Sequence, residues 1–345
     1  MRVSDGPVSP DETREADSAH MARAIELGHG VRGTTSPNPW VGAVLVPPAE
    51  TSELYEGATA PPGGPHAEIG ALERARQNGQ SNGATLYCTL EPCAHQGRTP
   101  PCTDAIIAAG VSRVVVGVHD PDPAVNGAGV AALAGAGIDV TVGVCAAQIR
   151  EELAPYLKHR TTGVPWVVLK LALTMDGRIA APDGTSKWIT GDEARSDVQA
   201  LRALSDAIMV GAGTVRADDP SLRVRGGDRA PGSQPMRVVL GRAPSGAAVA
   251  PAVELEGDIA KILLELGSRG VLQVLVEGGA KVAHQLHSAR LVDRYVLYLA
   301  PLLAGGNDAS PAFLGPGDPT LGEMWRGRLV SVERLGNDVR VELAA

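Results

Sequence analysis

Short apolar runs alternate with helical stretches along almost the whole chain, and this alternation most limits what it can fold into. WVGAVLV (40–46), ATLYCTL (84–90) and VSRVVVGV (111–118) each read as a buried strand. Between them, HAEIGALERARQNG (66–79) keeps Ile69, Leu72 and Ala75 on one face and stops at Gly79. PPCTDAIIAAG (100–110) has prolines before its first turn and a glycine after its last, as a short helix should. Strand–helix–strand order predicts parallel pairing with helices on both faces of a sheet. Ser18 to Gly28 reads as a further helix, residues 47–64 as a loop or hairpin, and residues 1–17 as a polar tail.

A second alternating unit begins near Pro165. VPWVVLKLAL (164–173), SDAIMVG (205–211), MRVVLG (236–241), GVLQVLVEGG (270–279) and DRYVLYLAP (293–301) read as strands. A helix over Asp192–Leu204 is announced by Thr190 and Glu193 at capping-box spacing. VSVERLGNDVRVEL (330–343) alternates about Gly-Asn-Asp and predicts a closing hairpin. A length of 345 residues exceeds the usual single core, so two domains are expected. The boundaries expected are a tail at 1–17, a first domain at 18–145, a helical linker at 146–163 and a second domain at 164–345.

Aromatic residues make up only 3% of the chain, with one phenylalanine, so Ala, Gly, Val and Leu must fill the cores. That suits layered α/β structure better than an aromatic-rich sandwich. A net charge of −8 argues against a nucleic-acid partner, which calls for a basic face and, for single strands, stacking rings. The first residues are polar and acidic, and nowhere does an apolar run reach the roughly eighteen residues a membrane span requires. The chain therefore reads as cytoplasmic and free of membrane contact. In that reducing setting, three of its four cysteines gathered in CTLEPCAHQGRTPPC (88–102) point to metal binding or catalysis more than to disulfides.

Cys93 and Cys102 both follow prolines where helices are expected to begin, and His66 stands at a third such start. Helix N-termini lower a thiol's pKa towards the thiolate that binds metal. Two thiolates and one imidazole leave a tetrahedral zinc one open position, which is the catalytic count; structural sites use four. Glu68, two residues after His66, is expected beside that position without being needed as a ligand. H-x-E followed by P-C is the zinc-deaminase signature, with the glutamate as general acid/base. HAE alone is common by chance and a lone Pro-Cys more so; the conjunction on a strand–helix scaffold carries the reading. The second ligand cysteine comes nine residues after the first, a departure from P-C-x-x-C. Cys88, on a strand, and Cys145 read as small buried core residues.

The departure in spacing is itself informative. TLEPCAHQGRTPPC resembles the EPC-x-H-x-G-[RK]-T-P-P-C loop of the bifunctional deaminase/reductase family of riboflavin biosynthesis. SPNPWVG (36–42) and GGPHAE resemble the same family, and the resemblance continues in LKLALTMDGRIA, SKWIT, DVQALRALSDAIMVGAGTVRADDPSL and VEGG. It implies a cytidine-deaminase-like three-layer α/β/α domain followed by a dihydrofolate-reductase-like α/β domain. The implied first activity is zinc-dependent hydrolytic deamination of 2,5-diamino-6-ribosylamino-4(3H)-pyrimidinone 5′-phosphate. His66, Cys93 and Cys102 would hold the zinc, and Glu68 would carry a proton from the attacking water to the departing amine. Asn38 would contact the ring, and His95 and Arg98 the ribose or phosphate. The family often has Gly-x-His shortly before PHAE, where the histidine helps bind substrate. This chain has Gly57-Ala58-Thr59, so that role is either unfilled or taken by Thr59.

For the second domain, the residues alone leave nucleotide binding open. VLVEGG followed by a helix suits a phosphate, but a tight turn explains the glycines equally well, and VGAGTV lacks the Rossmann spacing. The resemblance implies NADPH-dependent reduction of the ribosyl group to ribityl. By matched positions, Ala172, Trp188, Thr214, Asp218 and the turn Gly279, Ala280, Lys281, Val282, Ala283, His284 and Gln285 would contact NADPH. Ser186, Arg202, Leu222, Arg225 and Glu277 would hold the sugar phosphate, with Lys170 nearby. The stretch 241–270 looks shorter than in many relatives, which touches the adenosine end of the cofactor. The family also suggests a homodimer or homotetramer. Two rival readings are a nucleoside or tRNA deaminase fused to an unrelated reductase, and a structural zinc protein with a silent second domain. The acidic charge and the AHQGRTPP loop oppose the first; the three-ligand count and Glu68 oppose the second.

Overall fold

A computed structural model describes residues 10–48, 53–96, 100–122, 125–225 and 234–345, with side chains from Thr13 onward. The chain divides into two compact units at the Thr162–Gly163 junction. No described helix is long and apolar enough to cross a membrane.

The first unit runs α1 (Pro10–Val31), β1 (Gly42–Val46), β2 (Tyr55–Ala58), α2 (Ala67–Gln77), β3 (Thr85–Leu90), α3 (Cys102–Ala108), β4 (Arg113–Val118), α4 (Ala128–Gly135), β5 (Asp139–Val142), α5 (Ala146–Glu152) and α6 (Ala154–Thr162). Its five strands lie in the order β2-β1-β3-β4-β5. β3, β4 and β5 pair in parallel, as strand–helix alternation predicts. β1 departs from that expectation, running antiparallel to both β2 and β3. A short hairpin connection between β1 and β2 permits only this direction. Leu45, Leu86, Val114, Val115 and Val116 are fully buried in the sheet's two faces.

Two expected boundaries move. α1 begins at Pro10, so residues 10–17 of the expected polar tail are helix. Asp17 makes that part of the helix look solvated in sequence, yet it is 5% exposed. Its carboxylate accepts both terminal nitrogens of Arg113 at 2.8 Å and the Tyr87 hydroxyl at 2.9 Å. The expected linker is also structural: Ile149 on α5, Leu153 between the helices and Tyr156 on α6 are buried. Cys145, expected in the core, is half-buried at the left-handed residue preceding α5 (φ 53°).

The second unit comprises β6 (Trp166–Thr174), β7 (Arg178–Ala180), α7 (Asp192–Ala203), β8 (Ala207–Gly211), α8 (Ala212–Asp218), β9 (Met236–Leu240), β10 (Val253–Leu255), α9 (Ile259–Ser268), β11 (Gln273–Val276), α10 (Ala280–Ser288), β12 (Arg294–Ala300), β13 (Ser310–Pro311), β14 (Arg328–Leu335) and β15 (Asp338–Ala344). Eight strands form one sheet, β10-β9-β8-β11-β6-β12-β15-β14, parallel from β10 to β12 and antiparallel in the last two pairings. Strand alternation sends Val167 and Leu169 into a core with α9 and α10, and Val168 into a core with α7 and α8. The expected capping box of α7 does not form. Gly191, not Thr190, is the N-cap, and no side chain of the helix caps it.

Candidate active sites

In the first unit, three segments bring three donors together. His66 is the N-cap of α2, and the absent side chain of Gly57 lets this helix end lie against β2; a Cβ there would sit 2.0 Å from the Ala67 carbonyl. Cys102 opens α3 and is fully buried. Cys93 lies in an irregular loop after β3, so the helix expected to begin there is absent. His66 Nδ1 stands 3.7 Å from Cys93 Sγ and 3.3 Å from Cys102 Sγ, and all three donor atoms fall within 4.8 Å of one another. Tetrahedral zinc with ordinary bond lengths needs N–S edges of about 3.6 Å and S–S edges of about 3.8 Å, so the residues fit the ion. Cys88 is fully buried on β3 with its Sγ directed at the Val115 carbonyl, and takes no part.

The electrostatics favour a cation. The Cys102 amide donates to Cys93 Sγ at 3.4 Å. Hydrogen bonding from Cys102, reinforced by His66, draws the Cys93 thiol down to about 4 against the desolvation that burial imposes. Glu68, in the first turn of α2, is 4% exposed. Burial pushes its carboxyl up to about 7, despite the nearby His66 and Cys102. A carboxyl poised near neutrality beside two thiols and an imidazole is suited to accept and return a proton.

The other expected residues of this unit divide. Asn38 is half-buried in a turn closed by Thr35, whose hydroxyl donates to the Asn38 carbonyl at 3.0 Å. His95 is exposed on the loop after Cys93, and Arg98 lies outside the described residues. Thr59 does not replace the missing histidine as a ligand-facing group. It is 4% exposed, its Oγ1 accepts the Val41 amide at 3.0 Å, and it donates to the Val41 carbonyl at 3.4 Å. One buried residue escapes a reading by sequence: Glu91. Its Oε1 accepts the amides of Gly129 and Val130, and its Oε2 accepts those of Asp120 and Gly127 and meets His119 Nδ1. The only sequence signal for it is an acid immediately before Pro92-Cys93.

In the second unit, a cavity of about 1210 Å³ opens across the carboxyl ends of the parallel strands. That is where open α/β sheets bind ligands. Lys170, Ala172, Ser186, Trp188, Arg202, Thr214, Asp218, Leu222, Arg225, Glu277, Gly279, Ala280, Lys281, Val282 and Gln285 all line it. Ala283 and His284 do not: Ala283 is fully buried in the core beneath α10, and His284 lies against Gly315. A helix exposes only one side, so a run of seven consecutive residues could not all face the ligand.

At the cavity floor, Arg202 grips Glu277 with Nε at 2.6 Å and Nη2 at 2.9 Å, and donates Nη1 to the Arg223 carbonyl. Burial opposes the Glu277 charge, yet Arg202 and Lys170 hold its carboxyl below the usual range. Burial also lowers the Lys170 ammonium, with Glu277 pulling the other way. Near the mouth, Ser186 Oγ donates to Asp218 Oδ1 at 2.8 Å, and the Arg195 guanidinium stacks on the exposed Trp188 ring at 4.6 Å. Arg195, Gln199 and Arg242 also line the cavity, and nothing in the sequence motifs singles them out.

A thiolate–imidazole metal centre beside an acid, in a chain that also carries a separate α/β unit with a large cavity, defines a two-unit deaminase–reductase class. Residues 14–118 match the zinc-binding region of cytidine and deoxycytidylate deaminases, and residues 165–341 match the RibD C-terminal domain. The chain belongs to the RibD family of riboflavin biosynthesis proteins. It is 37% identical over 367 residues to the Escherichia coli K12 protein, spanning 95% of this chain and 99% of that one. It is 40% identical over 349 residues to the Mycobacterium tuberculosis H37Rv protein, spanning 97% and 99%. Acinetobacter baumannii RibD superposes with a TM-score of 0.88 at 38% identity, covering 96% of this chain and 99% of that one. A Thermotoga maritima diaminohydroxyphosphoribosylaminopyrimidine deaminase/5-amino-6-(5-phosphoribosylamino)uracil reductase superposes at 0.85 with 34% identity and the same coverage.

Proposed function

We propose that the chain catalyses two successive steps of riboflavin biosynthesis, one in each unit. The first replaces the amino group of a diaminopyrimidinone ribosyl phosphate by oxygen, consuming water and releasing ammonia. The second reduces the ribosyl group to ribityl at the expense of NADPH. The convergence of His66, Cys93 and Cys102 beside a buried Glu68 carries this reading.

In the first unit His66, Cys93 and Cys102 would hold zinc, which supplies a water activated near neutral pH. Glu68 accepts that water's proton and returns it to the leaving nitrogen. Its burial keeps the carboxyl at a pKa matched to both transfers. Asn38 orients the ring, while His95 and Arg98 meet the ribose phosphate. In the second unit NADPH supplies the hydride. Gly279 and the first turn of α10 would receive its phosphates, and Ala172, Trp188, Thr214 and Asp218, which line the same cavity, would contact the rest of it. The Arg202–Glu277 pair leaves Arg202 committed, so Arg225 at the lip is the better cation for the sugar phosphate. Lys170, a buried ammonium made more acidic by its surroundings, would protonate the ribose ring oxygen as the ring opens. A cytoplasmic homo-oligomer is the expected working state.

Supplying the diaminopyrimidinone ribosyl phosphate with and without NADPH, and identifying products by mass, tests both halves. Ammonia release without NADPH and ribityl product with it are expected. Absence of either product from folded, zinc-loaded protein refutes the corresponding half.

A further inference from the structure

The N-terminus of α7 is capped by an acid from the far end of the chain. In a capping box, an acid three residues into the helix bonds back to the N-cap amide. Here Glu193 does not do so. Asp338, at the start of β15 and 147 residues away, accepts the Gly191 amide on Oδ2 at 2.7 Å. Asp338 is 3% exposed, and an anion at this end of a helix is favoured by the unpaired amides there. The hairpin turn also presses on the same end: a Cβ on Gly336 would lie 2.8 Å from the Glu193 carboxylate.

What the cap fixes is the wall of the cavity. Ser186, Trp188 and Thr190, in the segment leading into Gly191, line it, as do Arg195, Gln199 and Arg202 on α7 itself. Further ties hold the helix against the sheet: Tyr298 donates to Asp197 at 2.5 Å, Arg340 pairs with the same carboxylate at 3.1 Å, and Arg202 pairs with Glu277. All three lie downstream of the cap. Among the ties from α7 to the sheet, only Asp338 anchors the point where the Ser186–Thr190 rim becomes helix, where Arg195 of the helix itself also donates to the Thr190 carbonyl.

We propose that Asp338 is a positioning residue for the reductase reaction, holding the Ser186–Trp188 rim and the first turn of α7 in the geometry that receives the sugar phosphate and cofactor. It touches neither ligand. Losing it frees the rim to move, which weakens binding more than it slows the bound complex. This inference rests on the second unit's being an NADPH-dependent reductase.

The test is steady-state kinetics of NADPH oxidation with 5-amino-6-(5-phosphoribosylamino)uracil for the full chain bearing Asp338→Ala, Asp338→Ser or Asp338→Asn. Alanine removes the acceptor, serine is too short to reach it, and asparagine keeps one accepting oxygen. Loss of one anion-to-amide hydrogen bond predicts a rise of about tenfold in KM for either ligand in the alanine and serine variants, with kcat within about twofold. The asparagine variant should stay within about threefold of wild type, and ammonia release by the first unit should be unchanged in all. Wild-type protein that oxidises no NADPH defeats the reductase reading itself. Active wild type with unchanged KM in the alanine variant overturns the role of Asp338. So does failure of both the alanine and the serine variants to fold in the second unit while the asparagine variant folds, since the carboxylate would then serve the fold alone.

Discussion

Glu91→Gln is the substitution whose consequence can be worked most fully from the structure. Both carboxylate oxygens of Glu91 are acceptors: Oε1 takes Gly129 N at 2.9 Å and Val130 N at 3.1 Å, and Oε2 takes Gly127 N at 3.0 Å and Asp120 N at 3.3 Å. A glutamine has one accepting oxygen and one amino group. Whichever way it turns, two backbone amides confront a donor. The side chain is fully buried, so water cannot substitute. At about 1–3 kcal/mol for each buried donor left unmet, the loss is about 2–6 kcal/mol. The strain reaches the metal site directly. The start of α4 abuts the Pro92 carbonyl so closely that a Cβ on Gly129 would lie 2.0 Å from it, and Cys93 follows Pro92. The assay is zinc release into excess chelator, followed colorimetrically, with NADPH oxidation by the second unit as an internal control. Faster zinc release and a lower Tm for the first unit are expected, with the reductase rate unchanged. Wild-type zinc retention and deamination within twofold of wild type would show that the Glu91 carboxylate does not support the metal loop.

Three further substitutions separate the roles assigned above. Glu68→Gln should keep zinc and abolish ammonia release. In chelator-stripped protein it should also stabilise, because a buried acid with its pKa raised from 4.5 to about 7 binds protons more tightly when folded. Stability of the stripped wild type therefore falls as pH climbs between those values, and the variant's advantage should grow to about 3 kcal/mol above pH 7 at roughly 1.4 kcal/mol per unit; a pH-independent difference in Tm contradicts this. Glu277→Gln leaves Arg202 and Lys170 without their counter-charge, costing the second unit about 3 kcal/mol. It should also lower the Lys170 pKa further, moving the alkaline fall of reductase activity to lower pH, which a pH–rate profile checks. Thr59→Ala should destabilise the first unit by about 1–3 kcal/mol through the abandoned Val41 amide while leaving the deaminase KM unchanged, since Thr59 faces backbone and not ligand.

What sequence makes legible, and what it does not, follows from the range of the interactions concerned. The strands and helices of both units rest on local periodicity, and the ligand set His66, Cys93 and Cys102 rests on side-chain chemistry that few other arrangements use. The departures share a different cause. Asp17 looks like tail because its partner Arg113 is 96 residues away; Glu91 looks like one more loop acid because its partners are amides from residues 120 to 130. The capping box at Thr190 and Glu193 satisfies the local rule, yet Asp338 holds the helix start. In each case a carboxylate that sequence assigns to solvent is buried against donors brought by the fold. An acid carries no periodicity, and its burial becomes readable only when the donors that neutralise it are known. Ala283 and His284 depart in the opposite direction: a contiguous run of expected cofactor contacts ignores the helical turn, which sends one of them into the core and the other against Gly315. Position-by-position resemblance thus locates a cavity-lining segment, while the geometry of the element decides which of its residues face the cavity.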